Sequence, residues 1–145
     1  MQSNNILNIL IPGSLYDSGS PEGKQRARQG KGHFYNPQKD MMDKMRIYVK
    51  AQLPENFMMI KKNVPVIVNN NFFMAIPKIR QKGDWKEFYK NEDIPHLEKS
   101  DRDNLDKTLL DICSKIIFAD DKQIYDGRIQ KYYSLNPRAE IEIIY

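Results

Sequence analysis

Apolar positions along this chain follow two rhythms, and together they predict most of its elements. Residues 5–11 (Asn-Ile-Leu-Asn-Ile-Leu-Ile) form a β-branched apolar run ended by Pro12-Gly13, which predicts an opening strand. Asn36-Pro37 has the form of a helix start, and Met42, Met45, Val49 and Leu53 then recur at three- and four-residue spacing up to Pro54. Residues 64–76 predict a strand, with the Asn69-Asn70-Asn71 run as a possible break into two. A second helix is expected from near Asp103 to near Ile117, with Leu105, Leu109, Ile112, Cys113 and Ile116 on its buried face. Residues 123–133 predict a strand. A last one at 138–145 places Ala139, Ile141, Ile143 and Tyr145 on one side and Glu140 and Glu142 on the other. The expected fold is α+β: a single domain over residues 1–145, with a mixed sheet packed by two main helices. Residues 14–36 are expected to be a long flexible basic loop, and residues 77–100 a polar surface connection.

Composition narrows the class. A chain of 145 residues can bury a core without disulfides or structural metals. No apolar run approaches the roughly 20 residues that span a bilayer, which excludes a transmembrane helix. The start, Met-Gln-Ser-Asn-Asn, lacks the charged and apolar regions of a signal peptide. Cys113, the one cysteine, excludes an intrachain disulfide and makes the cytoplasm the simplest compartment.

The net charge of +4 matters less than its distribution. Residues 24–50 carry eight Lys/Arg against Asp40 and Asp43, and residues 78–90 carry five more. Residues 92–106 carry Glu92, Asp93, Glu98, Asp101, Asp103 and Asp106. A polyanion is drawn to the basic segments and repelled by the acidic island unless cations sit there. A solvated surface of mixed charge has the same composition.

The chemistry sits in Asp101-Arg102-Asp103-Asn104-Leu105-Asp106-Lys107 and the later Asp120-Asp121. Converging carboxylates can hold a divalent cation, and Mg²⁺ suits ionised oxygen ligands. Asp103 and Lys107, four residues apart, share one helix face, where the lysine can meet a phosphate. The plainer readings are an N-terminal helix cap with an i,i+4 ion pair, and a polar turn at Asp120-Asp121. Asp106 and Asp111 read as surface or supporting carboxylates, Asp111 beside the lysine one turn before it. Asn104 reads as a cap or as an orienting group. Lys24, Arg26, Arg28 and Lys31, on a glycine-containing loop ending in Phe34-Tyr35, can wrap a phosphate backbone and stack on bases. The alternative is plain disorder, with those two aromatics anchoring the loop's return. His33 and His96 have no ligand spacing, and Trp85 reads as packing.

The pattern Asp101-x-Asp103-Asn104-Leu105-x-Lys107, then Asp111, then Asp120-Asp121-x-Gln123-Ile124, resembles the RusA family of Holliday-junction resolvases. Ile11-Pro12-Gly13, the Lys/Arg-Gly loop, Tyr35-x-Pro37 and the closing strand also fit, so the resemblance covers almost the whole chain. It implies that Asp101, Asp103 and Asp121 are the catalytic, metal-holding carboxylates and Lys107 the essential lysine. Asp120 would be the first member of the acidic pair. It further implies an Mg²⁺-dependent homodimer that cuts four-way DNA junctions by paired symmetric nicks in recombination and repair, as encoded by bacteria and often by phages or prophages. Two departures stand out: the loop at 14–36 is longer and less proline-rich than the pattern, and the connection at 78–100 is long. Two other functions fit the residues: a nuclease of flaps, forks and other branched DNA, and a non-catalytic module that coats junctions.

Overall fold

The computed structural model describes residues 4–145; Met1 to Ser3, part of the N-terminal stretch read above, lie outside it. The elements are β1 (Ile6–Pro12), a short hairpin of β2 (Arg28–Gln29) and β3 (Phe34–Tyr35), α1 (Lys39–Gln52), β4 (Val66–Ala75), α2 (Asp84–Tyr89), α3 (Arg102–Cys113), β5 (Ile124–Asp126), β6 (Ile129–Ser134) and β7 (Arg138–Ile144). The main sheet runs β1-β7-β4, and β5 and β6 both pair with the remaining edge of β4. β7 is antiparallel to β1 and β4, whereas β5 and β6 are parallel to β4, so the sheet is mixed. A parallel pair needs a crossover connection, and α3 lies within the one between β4 and β5.

Alternation decides which face is covered. Val66, Val68, Phe72 and Met74 of β4 point the same way as Ile9 and Ile11 of β1 and Ala139, Ile141 and Ile143 of β7. Against them pack Met41, Met42, Met45 and Val49 of α1 and Leu105, Leu109, Ile112 and Cys113 of α3, forming one core. The other face carries Asn69, Asn71, Glu140 and Glu142, all half-buried.

The Asn run does not break β4 in two, because its side chains find partners. Asn69 donates to Glu142 (2.9 Å) and accepts from the backbone N–H of Arg128 (2.9 Å), and Asn70 donates to Asp106 of α3. The break falls instead in the last third of the chain, where one expected strand is β5 and β6 separated at Gly127. Its φ is +150°, and a Cβ there would sit 1.8 Å from the Val68 carbonyl oxygen, so only glycine fits.

Four further expectations are corrected. α3 stops at Cys113 rather than near Ile117, because Lys115 takes a left-handed conformation (φ 64°) and turns the chain; Ile117, not Ile116, is then fully buried. Gln38, not Asn36, occupies the position before α1, with no side-chain cap, while Asn36 forms the turn ahead of it by accepting from the Gln38 N–H at 2.9 Å. A third, six-residue helix, α2, occupies the connection after β4. Residues 14–36 are not a free loop: Tyr16 and Pro21 are buried and residues 28–35 form the β2–β3 hairpin. Phe34 and Tyr35 are exposed and anchor nothing in the core.

Candidate active site

α3 presents its acidic start because its apolar stripe fixes its roll. With Leu105, Leu109, Ile112 and Cys113 turned to the core, Asp103 and Lys107 must face outward. Their side chains are 74% and 65% exposed, and Lys107 Nζ lies 4.0 Å from Asp103 Oδ2. At that distance and exposure the pair adds little to stability, which leaves the ammonium open to a phosphate. Asp101 is the residue before the helix, with extended backbone. Its carbonyl takes the first helical bond, from Leu105 N–H at 3.0 Å, but its carboxylate makes no capping bond. Two carboxylates therefore stand at the N-terminal end of a helix without capping it.

The approach to Asp101 is held from the sheet. Lys131 of β6 donates to the carbonyls of Glu98 (2.9 Å) and Ser100 (2.7 Å), and Arg102 donates to the Ile129 carbonyl at 3.4 Å. On the other side the basic loop is tied to the same helix. Lys24 N–H donates to the Asn104 carbonyl, Asn104 Nδ2 donates to the Lys24 carbonyl, both at 3.3 Å, and Lys24 Nζ pairs with Asp111 at 2.6 Å. Asp111 thus meets Lys24, not Lys107. Buried Gln38 links residues 23–25 to α1, donating to the Gly23 carbonyl (3.1 Å) and accepting from Gln25 N–H (2.9 Å). The result is an open cleft of about 650 Å³ walled by residues 22–28 and by Lys99, Ser100 and Asn104. Arg26 and Arg28 line it, while Lys31 lies exposed in the hairpin beyond.

The second acidic motif has a different construction. Asp120 accepts from Lys122 N–H at 3.0 Å, and Gln123 Oε1 accepts from Asp120 N–H at 2.9 Å, closing a capping box on the 3₁₀ turn Asp121–Gln123. The Lys122 N–H holds the Asp120 carboxyl below its ordinary range. Gln123 also donates to the carbonyls of Lys61 and Val64, each at 2.9 Å. Asp120 and Gln123 therefore build the turn, and Asp121 is left exposed on it.

This turn lies at the far end of α3 from Asp101. Twelve residues of helix span about 18 Å. Arg102 meets Ile129, whereas the chain after α3 bridges Phe118 to Ile60, ahead of β4. The strand after Asp121 does fold back along the helix, but Asp121 precedes that strand and stays behind. Among the described residues of one chain, no group of three or more His, Cys, Asp or Glu side chains is arranged to hold a metal ion. The donors at the α3 start nevertheless suit Mg²⁺, which commonly takes one or two protein carboxylates and completes its shell with water and substrate phosphate.

Asp106 gains a role that sequence did not signal. It is half-buried, accepts from Asn70 Nδ2, and burial raises its pKa above the ordinary 3.8, with the Asn70 bond opposing. Gln38 and Lys131 were likewise missed as positioning groups, because their carbonyl partners are fixed only by tertiary packing.

With this geometry in hand, comparison with known proteins is specific. The family model of the endodeoxyribonuclease RusA matches residues 18–144. A Bacillus subtilis (strain 168) protein named "Uncharacterized protein YqaN" is 27% identical over 140 residues, covering 94% of each chain. No helix is long and apolar enough to cross a membrane among the described residues.

Proposed function

This chain belongs to the RusA family and is an endodeoxyribonuclease, and we propose that its substrate is branched DNA, foremost the four-way junction, cut by Mg²⁺-dependent hydrolysis during recombination and repair in the cytoplasm. The observation that carries this reading is the pair Asp101 and Asp103, beside Lys107, at the start of a helix they do not cap; their chain neighbours Ser100 and Asn104 line the cleft that holds Arg26 and Arg28. A pure DNA-binding module has no use for two free carboxylates facing a polyanion.

Asp101 and Asp103 would hold the cation. When bound, such a cation supplies Lewis-acid polarisation of the phosphate and a more acidic water. Lys107 places a compact positive charge where charge builds on the phosphoryl oxygens. Lys24, Arg26, Arg28 and Lys31 bind the flanking backbone, and the tie of Lys24 to Asn104 and Asp111 sets that wall relative to the carboxylates. Asn104 and Asp111 thus position the wall, and Asp120 positions Asp121.

Asp121 is the third carboxylate in this proposal, and its turn follows the opposite end of α3 from Asp101. A two-fold homodimer resolves this by bringing Asp121 of one copy to Asp101 and Asp103 of the other. Such a dimer carries two equivalent sites, as two symmetric nicks require. The acting unit in this proposal is the whole 145-residue domain in two copies.

The test is cleavage of a synthetic mobile four-way junction beside matched duplex and flap DNA, with Mg²⁺ and with EDTA. Paired symmetric nicks on the junction, seen only with Mg²⁺, support the proposal. Preferential cutting of flaps would replace the junction by branched DNA at large. Binding without any cut would contradict it.

A further inference from the structure

Outside the acidic site, α2 carries two neighbouring aromatic side chains, Trp85 and Phe88, that stay about half exposed. We propose that α2 is a second DNA contact, on which unpaired bases next to the branch point stack against Trp85 and Phe88. This rests on the chain's action on DNA and not on its junction preference.

The helix is attached through one residue. Tyr89 is buried against Tyr133 of β6 (ring centroids 5.3 Å apart), with Ile76 and Ile94 beside it. The turn that follows is held by Glu92, which takes both terminal guanidinium nitrogens of Arg138. Trp85 and Phe88 are not needed for this attachment. They remain 45% and 51% exposed, with Trp85 stacked on Tyr89 (6.1 Å, 21°) and Phe88 edge-on to Trp85 (5.8 Å, 87°). Both thus lean on neighbouring rings and still stay about half exposed, the form of a stacking platform.

Charge selects the occupant. Residues 78–90 hold Lys78, Arg80, Lys82, Lys86 and Lys90 against Asp84 and Glu87. Arg80 lies over the Trp85 ring, its guanidinium carbon 5.8 Å from the centroid. Basic side chains around exposed aromatics fit single-stranded nucleic acid, whose bases offer free π-faces and whose phosphates meet the cations. Duplex DNA offers no free base face.

Position agrees with charge. Ile129, Lys131 and Tyr133 of β6 share one face, and Tyr133 holds α2 while the Ile129 carbonyl holds Arg102 beside Asp101. The two stand four residues apart along the strand, about 13 Å. Residues 95–100 run back along the β6 edge, with Pro95 opposite Tyr132 and His96 N–H donating to the Lys131 carbonyl at 3.1 Å. The carboxylates and the platform are thus held by the same strand.

Trp85 is the one tryptophan, so its fluorescence reports this site alone. The full chain, in EDTA to prevent cutting, is titrated with a short oligothymidylate and with blunt duplex of equal length. The proposal expects saturable quenching by the oligothymidylate and little by the duplex. It expects Phe88→Ala to weaken oligothymidylate binding at least about fivefold, with unchanged circular dichroism. In Mg²⁺, Trp85→Ala/Phe88→Ala should lose cleavage of branched DNA more than of duplex. Three results overturn it: no quenching, equal quenching by duplex, or emission that changes on dilution of the protein alone, which would make α2 a contact between copies. The fluorescence arm needs no cleavage, so it separates this proposal from the junction reading.

Discussion

The two acidic motifs of this protein are similar in sequence and opposite in construction. At Asp120-Asp121, the first carboxylate caps a turn and Gln123 clamps that turn to the Lys61 and Val64 carbonyls. At Asp101 and Asp103, neither carboxylate caps the helix it opens. An aspartate at a helix start ordinarily accepts a backbone N–H. Where it does not, its charge is left for something outside the chain, and that contrast is what supports the chemical role proposed for Asp101 and Asp103.

Substitutions on each side of the contrast should behave in opposite ways. The largest effect is expected at the free pair: Asp101→Asn or Asp103→Asn should lower cleavage about 10³-fold while the melting temperature and DNA binding hold. An unfolded variant, or one that cuts at the wild-type rate, would reverse the assignment. Gln123→Ala removes the donor to the Lys61 and Val64 carbonyls and should cost about 2 kcal/mol of stability, read as a lower denaturant midpoint. Asp120→Ala should act in the same direction and less, because the cap it removes is exposed. In both turn variants the folded fraction should still bind DNA.

A smaller and more particular effect is expected between the motifs, at Asp106. Burial raises its folded pKa above the ordinary 3.8, so between those two values the native state holds a proton that the unfolded chain has released. Native stability therefore falls as pH rises through this window, and the cost is complete above the folded pKa. Asp106→Asn removes that charge and offers a donor to Asn70 Oδ1, which has no partner among the described residues. The variant should be more stable near neutral pH by about 1 kcal/mol or less, an advantage that disappears in acid below the window. Melting temperatures of both proteins across pH would show it; an advantage that grew in acid would contradict it.

How much of this the sequence carried depends on the range of the forces involved. The strands at 6–12 and 138–144 and the stripe of Met42, Met45 and Val49 were legible because alternation and helical spacing are local signals. The family was legible because DxDNLxK and DDxQ are fixed by spacing. α2 was not, since six residues are too few to show a period and its anchor, Tyr89, meets a partner more than forty residues away. The early end of α3 turns on one left-handed residue, Lys115, with no glycine to announce it. The place of Asp121 was the largest surprise. Spacing puts it twenty residues after Asp101, but the crossover from α3 into β5 decides which end of the helix it occupies.

That crossover leads to the most direct test of the account. Asp103→Asn and Asp121→Asn chains, each expected to be inactive alone, are co-expressed, purified as mixed dimers through two different tags, and assayed for nicking of a four-way junction in Mg²⁺. If each site joins Asp101 and Asp103 of one copy to Asp121 of the other, a mixed dimer keeps one of its two sites intact, and nicking returns at about half the wild-type rate. If the mixed dimers stay as inactive as either parent, the carboxylates do not meet across copies and the proposed site is wrong.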